Sequence, residues 1–281
     1  MVRSKYNKKS FLMKVVIYLI LLCLFVAAIY PLYWVIITSV KSKSEIYQNS
    51  AGLPRQPSLE AYKNIWTLGE SSYSTNLLNS VIITFSSLIG ILIISTAAGY
   101  GFARYKFRGS RLLFIIFTIS LVVAPSSIMI SQFKILQTLH LLDSYAGIIL
   151  VYFSWTVFGV LLSRNAFIEI PQDIIDASRI DGCNEFTIFW RIGIPLIRPT
   201  IATITVFHFI WIWNDFIWPL VILQNPKYTT IIVGLLGLQG KYSTEWHTLT
   251  AGLFLSMLPV LIIYLLFQKF FVRGLMLGAL K

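Results

Sequence analysis

The chain has 281 residues, of which 57% are hydrophobic and 12% are charged, and its net charge is +12. Charged residues make up about a quarter of an ordinary soluble domain, so this composition excludes one. Of the two cysteines, Cys23 lies in an apolar run and Cys183 in a polar loop, which excludes a disulfide scaffold and a cysteine-based metal site.

Six long apolar runs predict six transmembrane helices. Each has about 18 residues or more and is long enough to cross a hydrocarbon core of roughly 30 Å. The first is longer than the apolar part of a secretory signal, so we predict an uncleaved span. A shorter stretch, 229–238, predicts a re-entrant or surface element. The six runs lie near residues 15–37, 81–100, 112–130, 145–162, 200–223 and 249–267.

The basic residues indicate how these spans are oriented. If the N-terminus is inside, most of the 23 lysines and arginines lie in the segments left on the cytoplasmic side. Such a bias in short flanking segments sets the topology of a membrane protein. We therefore predict cytoplasmic N- and C-termini, and we attribute the positive charge to topology and not to nucleic-acid binding.

Two spans carry residues that shape helix packing. The second contains small residues such as Ser95, Gly99 and Gly101, which let helices approach closely in lipid. The third ends around Ala124 and Pro125, where the proline removes a backbone donor and kinks the helix. The freed carbonyls then either find protein partners or line a wet cavity, so the sequence allows both a plain kink and a pore-lining one.

The polar segment 169–199 has the pattern of a helix–turn–helix, and we call it the 169–199 loop. A short helix is expected over about 172–181, and Gly182 suits a left-handed stop at its end. A second short helix is expected over about 184–191, ending before Pro195. The pair should lie along the membrane surface and project into the cytoplasm.

One motif of this loop resembles a known family. Asp176-Ala177-Ser178, followed by Gly182 and by Ile192-x-Ile194-Pro195, resembles the Glu-Ala-Ala loop of permease subunits of binding-protein-dependent ABC importers. In that family a separate ATPase drives the membrane subunit through this loop. Asp176 stands where the family usually has Glu, Ser178 replaces the second Ala, and Ile194 replaces Leu. Within 172–195, the residues that the resemblance assigns to coupling are Asp176, Ala177, Ser178, Asp181, Gly182, Ile192, Ile194 and Pro195.

Periodicity alone leaves the loop open to a plainer interpretation, an interfacial amphipathic loop without a partner. Further motifs nevertheless resemble the carbohydrate-uptake branch of these permeases, the maltose and oligosaccharide type. They are Asn79-Ser80, the 97–108 turn, Asn214-Asp215-Phe216, Gly234-Leu235 with Leu238-Gln239-Gly240, and the stretch 271–275.

The resemblance implies an all-α integral membrane protein with the type I ABC importer permease fold. Its six transmembrane helices would form a five-helix core with a peripheral first helix. Residues 1–75 would hold the cytoplasmic N-terminus, the first span and an external loop. Residues 76–281 would form the transmembrane core with the 169–199 loop.

The resemblance also implies partners. The chain would be a non-catalytic subunit that forms a heterodimeric pore with a second homologous permease in the bacterial cytoplasmic membrane. Two ATPase subunits would bind ATP and Mg²⁺, so this chain would bind no cofactor. An extracellular sugar-binding protein would deliver the carbohydrate substrate. In relatives the last external loop reaches toward that protein, which here concerns Gln239, Gly240 and Tyr242.

The fifth span contains the acid Asp215 within an apolar run. As one helix, this run would present His208, Trp211, Asp215 and Trp218 on one face. A charge within lipid costs at least about 2.5–3.5 kcal/mol, so Asp215 should face a cavity or a partner. Aromatic rings beside an acid and the Asn214 amide suit a sugar. Two interpretations follow: a substrate pathway formed by these five residues, or a tie from Asp215 to the partner subunit.

Three alternative functions involve another substrate or another class of membrane protein. The same permease could serve a non-sugar solute such as an amino acid or a polyamine. An ion-coupled secondary transporter is a second alternative, although no paired inverted repeat is seen. A membrane enzyme using His208 and Asp215 is a third, although one acid and one histidine are too few. The three histidines lie on different elements, so no metal-ligand spacing is found and no catalytic residue is predicted.

Overall fold

A computed structural model describes residues 3–66, 72–239 and 245–278 of the chain. The regular elements of these residues are helices, as the predicted all-α class requires. Three of them are long and apolar enough to cross a membrane by themselves: α1 (Arg3–Ser39), α4 (Tyr73–Arg104) and α15 (Trp246–Gly278). In the most apolar window of α1 no residue is buried.

Three further pairs of helices, each meeting at a sharp bend, are together long and apolar enough for one span apiece. The helices are α5 (Ser110–Ile119), α6 (Pro125–Thr138), α7 (Tyr145–Phe153), α8 (Thr156–Glu169), α9 (Gln172–Ile180), α10 (Glu185–Thr187), α11 (Ile194–Leu196) and α12 (Arg198–Trp213). The bends are 105° between α5 and α6, 45° between α7 and α8, and 75° where the helical segment 185–196 meets α12. Counting each bent pair as one span gives six among the described residues, which agrees with the predicted number.

Short helices connect or flank these spans. They are α2 (Lys43–Gln48), α3 (Glu60–Asn64), α13 (Ile217–Ile222) and α14 (Ile231–Leu236), and single 3₁₀ turns cover Ser120–Val122 and Pro226–Tyr228. The α14 helix has six residues, so the stretch 229–238 is too short to span, as predicted. The predicted fifth span over 200–223 is wrong as one helix, because α12 ends at Trp213 and α13 begins only at Ile217.

The bend between α5 and α6 has the cause that the sequence indicated. Ala124 is extended, with ψ of 130°, and Pro125 begins α6. A residue before proline is pushed out of the helical region by the proline ring, and proline itself fits the first helical turn. The predicted kink at these residues is therefore confirmed. The bend at Ser154 and Trp155, between α7 and α8, has no proline and was not predicted.

The chain forms two compact units. One comprises Met1–Leu68 with Leu238–Leu255, and the other comprises Gly69–Gly237 with Ser256–Lys281. In the first unit, Lys43 Nζ pairs with Glu245 Oε1 at 2.8 Å. The second unit contains the 169–199 loop and the bent helices. The division at residue 75 drawn from the resemblance stays a prediction.

Small residues allow α4 to pack closely against α8 in the second unit. A Cβ atom added at Gly99 would lie 2.5 Å from Ser163 Cβ and 2.9 Å from the Arg164 backbone nitrogen. A Cβ at Gly159 would overlap Ser95 Oγ, which donates a hydrogen bond to the Thr156 carbonyl at 3.3 Å. The predicted close approach at Ser95 and Gly99 is confirmed, and it follows from the absence of a Cβ on one side of each contact.

The Asn79-Ser80 motif fixes the segment before α14. Asn79 donates to the carbonyls of Lys227 and Thr229, at 2.9 and 2.8 Å, and its own oxygen accepts from the Tyr145 hydroxyl at 2.6 Å. Ser80 Oγ accepts from the Ile231 backbone nitrogen at 2.8 Å. Backbone groups of an irregular segment must find partners in an apolar setting, and these two side chains supply them.

Candidate functional site

The first half of the 169–199 loop folds as its sequence predicts. The α9 helix covers Gln172–Ile180, and Gly182 follows with a φ of 83°. The Gly182 nitrogen donates to the Arg179 carbonyl and the Cys183 nitrogen donates to the Ser178 carbonyl, both at 3.0 Å. A left-handed glycine that returns the chain onto the last turn is a common helix stop, because glycine has no Cβ to strain.

The second half runs further than predicted. Asn184 caps it by accepting from the Thr187 nitrogen at 2.8 Å, and the helical path continues from α10 through a π-helical turn, Ile188–Gly193, into α11. The predicted end before Pro195 is therefore wrong. Pro195 lies in the first turn of α11, where the backbone nitrogen needs no helical acceptor, and the wider π turn precedes it.

Arg179 joins the two halves of the loop by charge. Its guanidinium lies 3.0 Å from Asp176 Oδ1 and 2.8 Å from Glu185 Oε1. Asp176 and Arg179 are three positions apart in α9, a spacing at which helical side chains of opposite charge meet. The ion pair between Arg179 and Glu185 spans the turn at Gly182. The turn is therefore held both by backbone hydrogen bonds and by an ion pair.

Glu185 also connects the loop to the end of α4. Its Oε2 accepts from the Tyr105 hydroxyl at 2.9 Å and from the Tyr100 hydroxyl at 3.3 Å. Burial and the hydrogen bond to Glu185 raise the pKa of the Tyr105 hydroxyl, so the phenol keeps its proton and remains the donor. Arg104 adds a second connection, since it donates to Gln172 Oε1 at 3.0 Å and to the Phe167 and Ile170 carbonyls.

An apolar cluster lies under these polar contacts. It consists of Tyr100, Phe167, Ile170, Ile175, Ile188 and Ile197, all buried, with Ile192 and Ile194 packed against it. The Tyr100 ring stands edge-on to the rings of Phe167 and Phe189, at 5.1 and 5.2 Å. The loop is thereby packed onto the ends of α4 and α8, and a displacement of the loop would be transmitted to both helices.

Glu185→Gln tests the ion pair at the turn. Both partners are more than a third exposed, so we expect a loss of about 0.5–1 kcal/mol in the free energy of unfolding. A double-mutant cycle with Arg179→Gln should show the two side chains coupled, and about 1 M salt should weaken the coupling. Glu169→Gln, at the start of the loop, is the charge-matched control. Additive losses would contradict the pairing.

The residues that the resemblance assigns to coupling differ in exposure. Asp176, Ala177, Asp181 and Gly182 are exposed, whereas Ile192, Ile194 and Pro195 are partly covered. Ser178 is buried and donates to the Ile174 carbonyl at 2.7 Å, so its side chain points into the loop. Sequence reasoning missed the exposed apolar side chains beside this set: Ile180 is 86% exposed, Phe186 71% and Trp190 47%.

The predicted common face of the fifth span is not formed. Because α12 ends at Trp213, Asp215 lies in the break before α13, and Trp218 is buried in the core of the second unit. His208 is fully buried, with Nδ1 2.9 Å from the Ile204 carbonyl oxygen and Nε2 3.1 Å from that of Trp155. Its ring therefore joins α12 to the break between α7 and α8.

Asp215, in the break between α12 and α13, is bonded to a residue near the break between α7 and α8. Its Oδ2 accepts from the Tyr152 hydroxyl at 2.8 Å, and its Oδ1 accepts from the Ile217 backbone nitrogen at 3.2 Å. Asn214 lies beside it and donates to the Ile210 carbonyl at 2.9 Å, closing the end of α12. Sequence reasoning missed Tyr152, which sits in an apolar run and whose partner is 63 residues away.

Asp215→Asn and Tyr152→Phe should have coupled effects on stability. Each substitution removes one partner of the hydrogen bond between the Tyr152 hydroxyl and the Asp215 carboxylate. Loss of a hydrogen bond to a charged group typically lowers the free energy of unfolding by about 1.5–3 kcal/mol. The two changes together should cost little more than one alone. Tyr145→Phe, which removes the hydroxyl that donates to Asn79 instead, should add its full effect to that of Asp215→Asn. Thermal unfolding in detergent would measure this, and additivity of the first pair would contradict the contact.

A cavity of about 810 Å³ opens beside these breaks. Its walls come from the bend between α5 and α6, from the bend between α7 and α8, and from Trp211 on α12. Of the predicted pathway residues, Trp211 alone lines it. The lining residues are Phe117, Ser120, Leu121, Val123, Pro125, Ile128, Phe153, Ser154, Trp155, Thr156, Val157, Phe158 and Trp211.

The predicted contact loop is described only in part. Gln239 lies within the described residues, while Gly240 and Tyr242 lie outside them. Just beyond this gap, the Glu245 nitrogen donates to the Leu238 carbonyl at 3.2 Å. Among the described residues no group of histidine, cysteine, aspartate or glutamate side chains is arranged to hold a metal ion.

Comparisons with known proteins agree with this architecture. The family of binding-protein-dependent transport system inner membrane components matches residues 10–277. The arabinooligosaccharides transport system permease protein AraQ of Bacillus subtilis is 33% identical over 255 residues, which cover 90% of each chain. The sn-glycerol-3-phosphate transport system permease protein UgpE of Escherichia coli is 31% identical over 254 residues, 88% of this chain and 90% of that one.

A solved structure has the same fold. A chain of a bacterial ABC transporter involved in the import of the acidic polysaccharide alginate superposes with a TM-score of 0.84 at 25% identity, over 94% of this chain and 98% of that chain. The family match spans nearly the whole sequence, and the bent helices and the 169–199 loop lie within it. The chain therefore belongs to the family of binding-protein-dependent transport system inner membrane components, as a non-catalytic permease subunit of an ABC transporter.

Proposed function

We propose that this chain is one of two homologous permease subunits of an ATP-driven importer of sugars or oligosaccharides. The relatives named for arabinooligosaccharides and, in Thermoanaerobacterium thermosulfurigenes, for starch degradation products support this cargo. Family membership removes the two alternatives from other classes, an ion-coupled secondary transporter and a membrane enzyme.

The proposed partners follow from this role. A second permease completes the pore, and two ATPase subunits bind ATP and Mg²⁺ and dock on the 169–199 loop. An external sugar-binding protein delivers the substrate, with Gln239, Gly240 and Tyr242 in the loop that meets it. Both termini and the 169–199 loop lie on the cytoplasmic side of the bacterial plasma membrane.

The observation that carries this proposal is the way the 169–199 loop is built. Its turn is fixed by Gly182 and by Arg179, and its exposed surface bears Ile180 and Phe186. Exposed apolar side chains on a stiff, polar-rimmed element are typical of a protein contact. The bonds of Glu185 and Arg104 would carry the movement of a docked ATPase into α4 and α8.

The movement of the ATPase subunits then reaches the pore through helices that move as rigid bodies. When ATP binding brings the two ATPase subunits together, the two loops follow them. Since α4 is packed against α8 through Gly99 and Gly159, these helices move as one body. The bends between α5 and α6 and between α7 and α8 are the places where the pore changes its opening.

Reconstitution tests the proposal. The chain, its partner permease and the ATPase would be co-purified and placed in proteoliposomes, and ATP hydrolysis would be measured with and without the binding protein and a panel of oligosaccharides. Hydrolysis stimulated by the loaded binding protein is the expected result. A chain that associates with no ATPase would contradict the proposed coupling.

A second cargo class is favoured by one relative. The permease named for sn-glycerol-3-phosphate is nearly as similar as the sugar permeases, so the same architecture serves a small phosphorylated solute. Glycerol 3-phosphate therefore belongs in the substrate panel. Stimulation by this solute and by no sugar would assign the chain to that class.

A further inference from the structure

We propose that the segment between α4 and the first turn of α5 binds the phosphate headgroup of an anionic phospholipid such as phosphatidylglycerol. This segment, the 105–111 turn, carries the basic side chains of Lys106, Arg108 and Arg111. Arg164, on α8, completes the site. The inference goes beyond the proposed function, because it depends on neither the cargo nor the ATPase of the transporter.

The cations of the 105–111 turn have no anions beside them. Residues 71–142 contain no aspartate or glutamate. Within the described parts of the chain, Lys106, Arg108 and Arg111 are exposed and take part in no ion pair. Membrane topology requires basic residues near the ends of spans, but it does not require them to be gathered without counterions. A basic cluster beside a span attracts anionic lipid headgroups.

A fourth cation comes from α8. The guanidinium carbon of Arg164 lies 4.2 Å from the centre of the Phe114 ring, and Phe114 is one helical turn from Arg111. Arg164 is half-buried, and among the residues that the structure describes it has neither a carboxylate partner nor a hydrogen-bond acceptor. A guanidinium has five N–H donors in a planar fork that matches a phosphate. A lipid phosphate would supply the acceptor that this side chain lacks.

Aromatic side chains hold the 105–111 turn in place. The Phe102 ring, on α4, lies 6.2 Å from the Phe107 ring and 5.4 Å from the Phe114 ring, measured between ring centres. The Tyr105 hydroxyl is bonded to Glu185 at 2.9 Å. Tyr105 and Phe107 remain 43% and 45% exposed, and aromatic residues of this kind gather at the level of the lipid headgroups. The cations are therefore carried by a fixed turn at the expected depth.

The surface next to these cations favours a phospholipid over other anions. The α5 helix has no buried residue, and Leu112, Leu113 and Ile116 are 62%, 52% and 58% exposed. The basic start of α5 thus continues into an apolar helix face, which matches a phosphate joined to acyl chains. An acidic patch of a cytoplasmic protein, or free phosphate, would neutralise the cations but would leave the apolar face uncovered.

Lipid titration tests the site. The full chain, with the subunits that co-purify with it in detergent, would be titrated with dioctanoyl-phosphatidylglycerol, and bound lipid would be counted by native mass spectrometry. A variant that combines Lys106→Gln, Arg108→Gln and Arg111→Gln should weaken the tightest binding at least about tenfold, because three cations are lost. Arg164→Gln alone should weaken it less. The wild type should bind dioctanoyl-phosphatidylcholine, which has no net charge, at least about tenfold more weakly than phosphatidylglycerol.

The matched control removes the same charge from elsewhere on the chain. It combines Lys14→Gln, Arg55→Gln and Arg198→Gln, three exposed positions that form no ion pair within the described residues. This variant should bind phosphatidylglycerol as the wild type does. Inorganic phosphate, added at the same concentration as the lipid, should not displace it.

Weaker phosphatidylglycerol binding by the variant of the 105–111 turn alone, with normal recovery of the protein and its subunits, supports the site. Unchanged binding by this variant overturns it, and so does an equal loss in the control variant, because net charge would then govern binding. Equal affinity for phosphatidylcholine, or displacement by inorganic phosphate, also overturns it. Loss of the co-purifying subunits in the variant of the turn overturns it too and identifies the turn as a subunit contact. No ATP hydrolysis or uptake is measured here, so the proposed function stands or falls separately.

Discussion

Gly182→Leu is expected to lower ATP hydrolysis by the reconstituted complex, stimulated by the loaded binding protein, at least about tenfold, or about 1.4 kcal/mol. Gly182 has a φ of 83°, and an L residue in the left-handed region costs roughly 1–2 kcal/mol. No atom lies within 4 Å of an added Cβ, so the new side chain projects outward from the turn. The variant should therefore insert and assemble with its partner permease, yet fail to seat the ATPase.

Gly109→Leu is the matched control for this result. Gly109 has a φ of 84° and is also free of atoms within 4 Å of an added Cβ, but it precedes α5 and not α10. The two variants carry the same strain and the same bulk. Hydrolysis near that of the wild type is expected for Gly109→Leu. Equal losses in the two variants would show that general destabilisation is responsible, and the proposed role of the turn would be abandoned.

Gly182→Asn separates strain from bulk at the turn. Asparagine tolerates the left-handed region better than other residues with a side chain, and it is small. Hydrolysis is therefore expected to stay within about twofold to threefold of the wild type, a difference of well under about 1 kcal/mol. If Gly182→Asn is as inactive as Gly182→Leu, the contact between this turn and the ATPase has no room for any side chain at position 182.

Gly99→Val is expected to have the largest effect on stability. Its Cβ would meet Ser163 Cβ at 2.5 Å and the Arg164 backbone nitrogen at 2.9 Å, and backbone cannot rotate away as a side chain can. Overpacking typically costs about 1–3 kcal/mol, and occasionally more. At about 2–4 °C per kcal/mol for a large domain, the Tm should fall by roughly 2–12 °C.

Gly101→Val provides the control for Gly99→Val. Gly101 lies two residues further along α4, and a Cβ added there meets nothing within 4 Å. The same substitution in the same helix should therefore lower the Tm by only a small amount. Ser163→Gly should restore part of the loss in Gly99→Val, because it removes one of the two atoms in conflict. A Tm unchanged by Gly99→Val would mean that α4 and α8 pack less closely than the structure has them.

The amino-acid sequence by itself determined the membrane character, the number of spans and the helix of the 169–199 loop. These features depend on local properties: the length of apolar runs, a proline that sets the bend before α6, and a glycine that stops α9. The pairing of Asp176 with Arg179 was predictable for the same reason, since the two residues are three positions apart in one helix. Family membership was predictable from the motif around Gly182.

Only the tertiary structure decided which residues meet at the breaks. An apolar run predicts a span, but it does not say where the span bends, so the ends of α7 and α12 were not foreseen. Those bends turn Tyr152 toward Asp215 and bring His208 to the Trp155 carbonyl, across 63 and 53 residues. Likewise, Glu185 meets Tyr100 across 85 residues. Such contacts depend on how helices distant in sequence pack together, and no local period encodes that packing.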